Sequence, residues 1–190
     1  MSIIIGLTGL PGSGKNTAAR HLVDHHGFVE VAFADPIRQA AMVLNPYVDS
    51  FYTLEDVVNT WGWDEAKNKW PEVRRVLQVL GTELGRDLHG AYCWIDKVWE
   101  KIDSFPDGQD VVITDCRFHD EARSVWLRGG YIVRLRRKSR IDTKILSHRS
   151  EIESQQLISD WEISNESSKD ELAKRVDRLV SNLSKKRSNL

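Results

Sequence analysis

The chain has few cysteines, no long apolar segment and almost no net charge. Its 190 residues include two cysteines, Cys93 and Cys116, whose separation fits neither a disulfide framework nor a metal site and favours reduced thiols in a cytosol. No apolar run approaches the roughly 20 residues of a membrane span, and the N-terminal run lacks the charged start of a signal peptide. A formal net charge of −1 argues against a protein that coats nucleic acid. We therefore expect a cytoplasmic protein without a membrane or nucleic-acid-polymer partner.

Apolar segments alternate with helical patterns along the chain, which predicts a doubly wound, three-layer α/β domain. Segments such as Val111–Ile113 are apolar throughout, as in parallel strands that helices cover on both faces. A first helix is expected from about Lys15 to His25, and a last helix follows Ser168, with Glu171 completing a capping box. The predicted strands are Ile3–Thr8, Phe28–Phe33, Val111–Thr114, Tyr131–Leu135 and Trp161–Ser164.

The segment 41–108 has no convincing strand pattern, and we predict that it is a helical insertion. It contains five of the seven tryptophans, which more often pack a small subdomain than stack on a base. Within a single domain of residues 1–190, we expect a core at about 1–40 and 109–190, this insertion, and a lid at about 136–150. The five tryptophans are Trp61, Trp63, Trp70, Trp94 and Trp99.

The segment Gly9–Thr17 follows the first predicted strand and has the pattern of a phosphate-binding loop. The backbone N–H groups of such a turn and the N-terminus of the next helix bind phosphate, and Lys15 adds a positive charge at the outer phosphates. The alternative, an ordinary glycine-rich turn, leaves a cation at a helix start unexplained. The predicted ATP-binding residues here are Leu10, Pro11, Gly12, Ser13, Gly14, Lys15, Asn16 and Thr17.

Asn16 stands where this pattern has serine or threonine, whose hydroxyl is the usual magnesium ligand. Asn16 could bind Mg²⁺ through its carbonyl oxygen, directly or through water, or Thr17 could take this role. Asp115 ends an apolar strand and is a third candidate ligand, with a turn aspartate as the alternative. The sequence therefore predicts a magnesium site but leaves its direct ligand open.

Arginines near the predicted carboxyl edge of the sheet are candidates for phosphate binding. Arg117 suits a phosphate there, or alternatively a salt bridge to Asp120 or Glu121. The segment 134–149 contains seven lysines and arginines but only one acidic residue, Asp142. A cationic flap of this kind could close over phosphates and exclude water. The predicted catalytic residues are its members Arg136 and Arg137 together with Lys15, Asp115 and Arg117. The alternative of a solvated basic loop suits outer residues such as Lys138 and Lys144.

A predicted helix over about 72–87 has two distinct faces when its residues are placed at 100° intervals. Five side chains make an apolar face: Val73, Val76, Leu77, Leu80 and Leu84. The opposite face has no acidic residue, whereas a merely solvated face usually mixes signs, so we predict a surface that binds the acceptor. Arginine would bind its phosphate bidentately, and the amide of Gln78 could bind a base edge. This face consists of Arg74, Arg75, Gln78, Thr82 and Arg86, of which all but Arg74 are taken as substrate-binding candidates.

These motifs together resemble the nucleoside monophosphate kinase group of phosphate-loop proteins, and most closely the deoxynucleoside monophosphate kinases of bacteriophages. Members of the phage group tend to place an acidic residue before the threonine, so the departure at Asn16 resembles theirs. The resemblance covers nearly the whole chain. The matching segments are Gly9–Thr17, Phe33–Arg38, Arg75 with Leu77–Gln78 and Leu80–Thr82, Asp115–Arg117 with Glu121, and Ile163–Asn165 with Ser168 and Leu172.

The resemblance implies a phosphate-loop kinase fold with a five-stranded parallel sheet in the order 2-3-1-4-5, with ATP as phosphoryl donor and Mg²⁺ as cofactor. It implies that Asn165 lies near the donor adenine, that Arg117 contacts phosphate and that Arg136 and Arg137 belong to the lid. It also implies a location in the host cytoplasm if the protein is of phage origin. The residues that would line the acceptor site are Asp35, Arg38, Arg75 and Gln78.

The sequence thus predicts transfer of the γ-phosphoryl group of ATP to a deoxynucleoside monophosphate, by a monomer or a homodimer with these small molecules as partners. A kinase with a hydroxyl acceptor, such as dephospho-coenzyme A, is one alternative, in which Asp35 would be the base. A nucleotide-hydrolysing switch or binding protein is another. Against the switch, Asn68–Pro71 lacks the aspartate of a guanine-binding N-K-x-D motif.

Overall fold

The structure, a computed structural model, describes residues 2–137 and 149–188. Contacts divide the chain into two units. The first unit comprises Met1–Phe33 with Lys101–Leu190, and the second unit is Ala34–Glu100. The second unit overlaps the predicted insertion at 41–108, with both of its ends earlier in the chain, and the predicted domain boundaries stay a prediction.

The first unit contains a five-stranded parallel sheet in the order β2-β3-β1-β4-β5, which confirms the predicted fold and strand order. All five residues of β1 are buried, because strands flank β1 on both sides and helices cover its faces. Strands β2 and β3 are shorter than predicted, at three residues each. The strands are β1 Ile4–Thr8, β2 Val29–Val31, β3 Val111–Ile113, β4 Tyr131–Arg136 and β5 Trp161–Ser164.

Eight α-helices and one π-helix lie within the described residues. The first helix ends where Gly27 adopts a positive φ of 68°, within a residue of the predicted end. The last helix begins as predicted, with the Glu171 N–H donating to Ser168 Oγ at 3.2 Å. In chain order the helices are α1 Lys15–His26, α2 Asp35–Leu44, α3 Leu54–Lys69, α4 Pro71–Gln78, a π-helix Val79–Asp87, α5 Cys93–Asp103, α6 His119–Leu127, α7 Arg149–Gln156 and α8 Lys169–Ser188.

The core of the first unit joins α1 and α8 to the central strands. Apolar residues three or four apart on each helix face the sheet, as helical periodicity requires. From α1 these are Ala18, Ala19 and Leu22, and from α8 they are Leu172, Val176, Leu179 and Leu183. They pack with Ile5 and Leu7 of β1 and with Val133 and Leu135 of β4. Helix α1 is therefore held in place directly behind the loop that follows β1.

The second unit is helical and has its own apolar core. Ala41, Leu54, Val57, Ala66 and Val73 are fully buried in it. Partly buried indoles pack against this core, as predicted for the tryptophans of this segment, and they include Trp63 and Trp70. Strand-like pairing in the second unit is confined, among described residues, to an isolated antiparallel bridge between Tyr47 and Thr53.

The predicted helix over 72–87 is continuous, but its second half is a π-helix, so the prediction of one regular helix was wrong. Trp94 explains the change, because its Nε1 donates to the carbonyl oxygen of Gly81 at 3.1 Å. A Cβ on Gly85 would lie 1.9 Å from that same nitrogen, so only glycine leaves room for the indole. A π-helix has backbone hydrogen bonds between residues five apart and winds more loosely than an α-helix. Leu84, which was predicted to lie on the apolar face, is accordingly 46% exposed.

In the part of the chain that the structure describes, no helix combines the length and apolar character needed to cross a bilayer. The predicted cytoplasmic location and the oligomeric state stay predictions.

Candidate active site

The loop between β1 and α1 has the backbone conformation that a phosphate cradle requires. Gly9, Gly12 and Gly14 have φ values of 134°, 74° and 102°, a region that favours glycine. Gly9 is also restricted by space, because a Cβ there would lie 2.4 Å from the carbonyl oxygen of Leu135. The Ser13 N–H donates to the Leu10 carbonyl oxygen at 3.1 Å and closes the turn. The predicted phosphate loop is thus positioned directly before the N-terminus of α1.

Lys15, the first residue of α1, extends back across this loop. Its Nζ donates to the carbonyl oxygens of Gly9 at 2.7 Å and Leu10 at 3.0 Å. These two carbonyls compensate the unfavourable placement of a cation at a helix N-terminus. The ammonium is therefore held over the loop, where it can bind an anion that the loop amides also contact.

Asn165 holds the phosphate loop from the neighbouring β5–α8 connection. This buried side chain donates from Nδ2 to the Ser13 carbonyl oxygen at 2.9 Å. A Cβ on Gly14 would lie 2.3 Å from the same nitrogen, so a glycine is needed at that position for the contact. The Asn165 N–H donates to the Arg136 carbonyl oxygen at 2.7 Å. The structure thus places Asn165 beside the loop backbone, while its predicted role near the adenine stays a prediction.

Two buried hydroxyls lie in the same region. Ser13 Oγ and Thr8 Oγ1 are both shielded from solvent and have no hydrogen-bond partner among the described residues. A buried hydroxyl without a partner is unfavourable, and such groups occur where a ligand or an ordered water completes the hydrogen bonding. Their position at the end of β1 and in the loop fits a site for a polar ligand.

Asp115 lies at the carboxyl end of β3, as predicted. Its Oδ1 accepts a hydrogen bond from the Phe33 N–H at 2.7 Å. This bond connects the segment that follows β2 to the segment that follows β3. Asn16 and Thr17, the other two candidate magnesium ligands, lie exposed in the first turn of α1. All three side chains offer the oxygen ligands that Mg²⁺ prefers. Asp115 therefore has a structural contact in addition to its predicted role.

Arg117 follows Asp115 in a segment that Glu121 organises. The buried Glu121 Oε2 accepts the N–H groups of Arg117 at 2.7 Å and Phe118 at 3.0 Å. These bonds satisfy backbone donors at the start of α6, where a carboxylate is also favoured by the helix dipole. Burial raises the pKa of the adjacent Cys116 thiol well above its usual range, and the nearby carboxylates of Glu121 and Asp115 contribute. Cys116 is therefore a neutral core residue.

The arginines of β4 have different environments. Arg136 is the last residue of the strand, is 65% exposed and pairs through Nη2 with Glu162 Oε1 at 2.8 Å. Arg137 follows it and is exposed. Arg134, which the sequence grouped with this basic segment, is buried and donates to the carbonyl oxygens of Ser154 and Leu157. Most of the predicted lid at 136–150 lies outside the described residues, which resume at 149.

In the second unit, Asp35 and Arg38 lie together in the first turn of α2. Arg38 Nη1 is 3.3 Å from Asp35 Oδ1, and its guanidinium carbon is 6.0 Å from the centre of the Trp63 ring. Arg38 Nε is buried and has no hydrogen-bond partner in the described residues. A guanidinium with a buried donor of this kind is suited to an anionic ligand.

The cationic face predicted for the 72–87 helix is divided in the structure. Arg75 is exposed but bonds Glu72, with Nε 2.8 Å from Oε2, and this hydrogen bond lowers the pKa of Glu72. Arg74 donates to the carbonyl oxygen of Lys67 at 2.9 Å. Gln78 is the exposed last residue of α4, while Thr82 and Arg86 belong to the π-helix and follow its looser winding. Arg86 Nη1 donates to the Ala91 carbonyl oxygen at 3.3 Å.

Several of these contacts could not be found in the sequence. The bond from Asn165 to Ser13 joins residues 152 positions apart, and that from Phe33 to Asp115 joins residues 82 apart. The pairing of Arg75 with Glu72 is different, because a spacing of three on a helix is a local signal that could have revealed it.

The sheet order, the loop and Lys15 define a phosphate-loop protein of the kinase class. Dephospho-CoA kinase from Campylobacter jejuni has the same fold, with a TM-score of 0.52 and 15% identity over 98% of this chain and 100% of that one. At this identity the likeness concerns the fold alone.

Sequence comparison identifies the family within this class. The model of the deoxynucleotide monophosphate kinase family matches residues 46–176. The chain is 34% identical to a protein of Acanthamoeba polyphaga mimivirus named as a deoxynucleotide monophosphate kinase, over 71% of this chain and 74% of that protein. It is 26% identical to the deoxynucleoside-5'-monophosphate kinase of Escherichia phage T5, over 64% of this chain and 70% of that protein. The chain belongs to the deoxynucleotide monophosphate kinase family, which confirms the predicted family and enzyme class.

Proposed function

We propose that the protein transfers the γ-phosphoryl group of ATP to the phosphate of a deoxynucleoside monophosphate and so forms a deoxynucleoside diphosphate. The observation that carries this proposal is the family match over 46–176 in a chain whose preceding residues form a phosphate loop with Lys15 over it. The match includes most of the second unit and therefore supports the acceptor as well as the donor.

The donor phosphates bind in the loop between β1 and α1 in this proposal. Backbone amides and the N-terminus of α1 contact the phosphate oxygens, and Lys15 exchanges its two carbonyl contacts for the outer phosphates. Asn165 keeps the loop in its binding conformation through Ser13. Arg117, Arg136 and Arg137 neutralise charge that spreads over the transferred group.

The acceptor requires no strong general base. Its phosphate has a second pKa near about 6, so its attacking oxygen is already ionised at neutral pH. The protein therefore contributes position and positive charge rather than proton abstraction. In this reaction Asp35 is a ligand or positioning group, in contrast to the base that a hydroxyl acceptor would need.

Arginines of the second unit bind the acceptor phosphate in this proposal. Arg38 offers its buried Nε, and Arg75 offers a fork that Glu72 binds in the free protein. An exposed ion pair contributes about 0–1 kcal/mol, so a dianionic phosphate can displace Glu72 from Arg75. Gln78, Thr82 and Arg86 remain candidates for contacts to the nucleoside.

Mg²⁺ fits the oxygen-rich residues at the start of α1 and the end of β3. Asn16, Thr17 and Asp115 are the side chains that would hold it, directly or through water. When bound, the ion would supply positive charge that offsets the negative charge of the donor phosphates. The exposure of Asn16 and Thr17 suits an ion that keeps several waters.

A substrate screen tests the proposal. ADP release would be measured with Mg-ATP and each of dTMP, dGMP, dCMP and dAMP, their ribonucleotide counterparts, dephospho-coenzyme A, and no acceptor. We expect acceleration by one or more deoxynucleoside monophosphates and formation of the matching diphosphate. Activity on dephospho-coenzyme A alone, or hydrolysis that no acceptor accelerates, would refute the proposal.

A further inference from the structure

Two histidines and one aspartate meet at the outer surface of the first unit, where α1 packs against α8. His21 Nε2 and His26 Nε2 lie 2.7 and 2.8 Å from the same carboxylate oxygen, Oδ1 of Asp177. One potential ligand atom from each residue lies within 4.8 Å of the others. The family's reaction does not explain why these three groups converge.

The positions of the three groups are set by the core beneath them. His21 precedes Leu22 on α1, and Asp177 follows Val176 on α8; Leu22 and Val176 are both 1% exposed in the shared apolar cluster. The histidine side chains are 16% and 22% exposed, and that of Asp177 is 48% exposed. The cluster is therefore held by rigid elements, yet it remains open to solvent on the side of Asp177.

The charges around the cluster favour a cation. His26 is the last residue of α1, where the helix dipole places partial negative charge. Both histidine nitrogens converge on one oxygen of Asp177, a residue whose side chain is an ordinary carboxylate that is ionised at neutral pH. An anionic oxygen and two imidazole nitrogens are a ligand set that borderline-soft divalent metals prefer.

We propose that His21, His26 and Asp177 bind one zinc ion in a three-ligand site that links α1 to α8. Zinc bonds of about 2.0–2.1 Å place tetrahedral ligand atoms about 3.3 Å apart. Each histidine nitrogen therefore moves about half an ångström away from Asp177 Oδ1, and the ligand atoms of the two imidazoles, which lie within 4.8 Å of each other, take the same spacing. Each imidazole then binds through an unprotonated Nε2 and carries its remaining proton on Nδ1. Any imidazolium proton is released to solvent, and water completes the coordination.

The site is separate from the nucleotide chemistry. His21 and His26 follow Lys15 by 6 and 11 positions on α1, which at the helical rise corresponds to about 9 and 16 Å along the helix axis. Zinc at this end of α1 acts on the stability of the contact between α1 and α8 and does not contact the phosphates. Its binding can therefore be measured without nucleotide, which would itself bind metal ions.

His25 provides a matched control on the same helix. Its ring lies 4.5 Å from that of His21, and its side chain is exposed, but it contributes no atom to the three-residue group. A surface histidine that binds metal without a defined geometry would behave alike at positions 21, 25 and 26. A defined site requires only the two that converge on Asp177.

The test uses the full chain without an affinity tag, stripped of metal and dialysed against zinc with Mg²⁺ in excess. We expect one zinc per chain in the wild type and in His25→Gln, and a loss of more than about tenfold in affinity in His21→Gln, His26→Gln and Asp177→Asn. Zinc at about 100 times its dissociation constant should raise the Tm of the wild type by about 5–10 °C. Co²⁺ bound in place of zinc should give the visible absorption of a low-coordinate site in the wild type and in His25→Gln.

Circular dichroism distinguishes a lost site from a lost fold, and the near-isosteric Asp177→Asn change provides a ligand variant if a histidine variant unfolds. Equal zinc affinity in the wild type, His21→Gln and Asp177→Asn would overturn the proposal. So would the absence of bound zinc in the folded wild type, or an equal loss of zinc on substituting His25.

Discussion

Lys15 has a position in a helix, a contact with the phosphate loop and a predicted catalytic role. It is the first residue of α1, it covers the loop with its side chain, and its ammonium bonds the carbonyls of Gly9 and Leu10. These contacts are made by a terminal group on a flexible stem, and they can be replaced by phosphate oxygens without a change in the backbone. We therefore expect that the fold does not depend on them.

Replacing Lys15 by alanine should reduce kcat by about 10²–10³-fold, because the change removes a positive charge that stabilises the transferred group. The free energy of unfolding should change little, since the side chain is not part of the apolar core. Steady-state kinetics and denaturant unfolding would check both statements. Lys97→Ala, which changes an exposed lysine paired with Glu100, is the control and should leave turnover unchanged. Near-normal turnover in Lys15→Ala would contradict the assigned role.

Asn165 acts on the loop through a buried hydrogen bond, so its removal should affect both stability and ATP binding. Asn165→Ala leaves the Ser13 carbonyl oxygen without this donor and should lower the free energy of unfolding by about 1 kcal/mol. The KM for ATP should rise several-fold, with a smaller change in the KM for the acceptor. Asn182→Ala, on the exposed face of α8, is the matched control. An unchanged KM for ATP would show that the loop keeps its conformation without Asn165.

At the scale of elements, Arg134 shows that a count of basic residues in a segment does not reveal which of their side chains are buried. It belongs to the basic segment by sequence, but β4 directs its side chain to the carboxyl end of α7 and the chain that follows, where it donates to the carbonyl oxygens of Ser154 and Leu157. Desolvation lowers the pKa of Arg134 from its ordinary value. A guanidinium nevertheless stays protonated in proteins, so the side chain donates as a cation. The residue connects β4 to α7.

Arg134→Met should therefore destabilise the protein by about 2–3 kcal/mol, because two carbonyl groups lose a charged donor. Denaturant unfolding would measure this, and limited proteolysis should show faster cleavage near α7. The control Arg123→Met changes an exposed arginine on α6 and should stay within about 0.5 kcal/mol of the wild type. A stability equal to that of the control would mean that other groups supply the two carbonyls.

Across the whole molecule, ion pairs in both units lower carboxylate pKa values. Arg128 lowers the pKa of Asp103, Lys67 that of Asp64, Arg75 that of Glu72, and His21 with His26 that of Asp177, in each case chiefly through a hydrogen bond. The folded state therefore binds fewer protons than the unfolded state in the acid range. The contribution of these groups to the free energy of unfolding is complete above the pKa values of 3.8 to 4.5 that they have in the unfolded chain. It is lost as the pH falls further.

The Tm should consequently be nearly constant from pH 7 to about pH 5 and fall progressively below about pH 4. Thermal unfolding followed by circular dichroism in buffers of constant ionic strength would measure the profile. Because most of these pairs are exposed, added salt at pH 7 should shift the Tm only slightly. A Tm at pH 3 equal to or above that at pH 7 would contradict this account.

Local pattern was sufficient for much of the fold. Strands of the first unit, α1 with its phosphate loop, and the cap of α8 are properties of short segments, and they were found close to their predicted bounds. The π-helix was missed because it depends on Trp94, which lies in another element and occupies the room at Gly85. The burial of Arg134 was not predicted, because a cation looks alike in sequence whether its strand buries it or exposes it.

Hydrophobic periodicity and the glycine spacing of Gly9–Thr17 were enough to predict the α/β class and a site for a nucleotide phosphate, because these are encoded by neighbouring residues. The family was predicted from the resemblance of several motifs along the chain to those of known kinases. Folding was needed to establish which distant groups meet. Asn165 reaches Ser13, Asp115 holds Phe33, and Asp177 receives both His21 and His26 only when the strands and helices pack. The physical reason is that hydrogen bonding and metal ligation act over about 2–3 Å, a distance that sequence separation does not constrain.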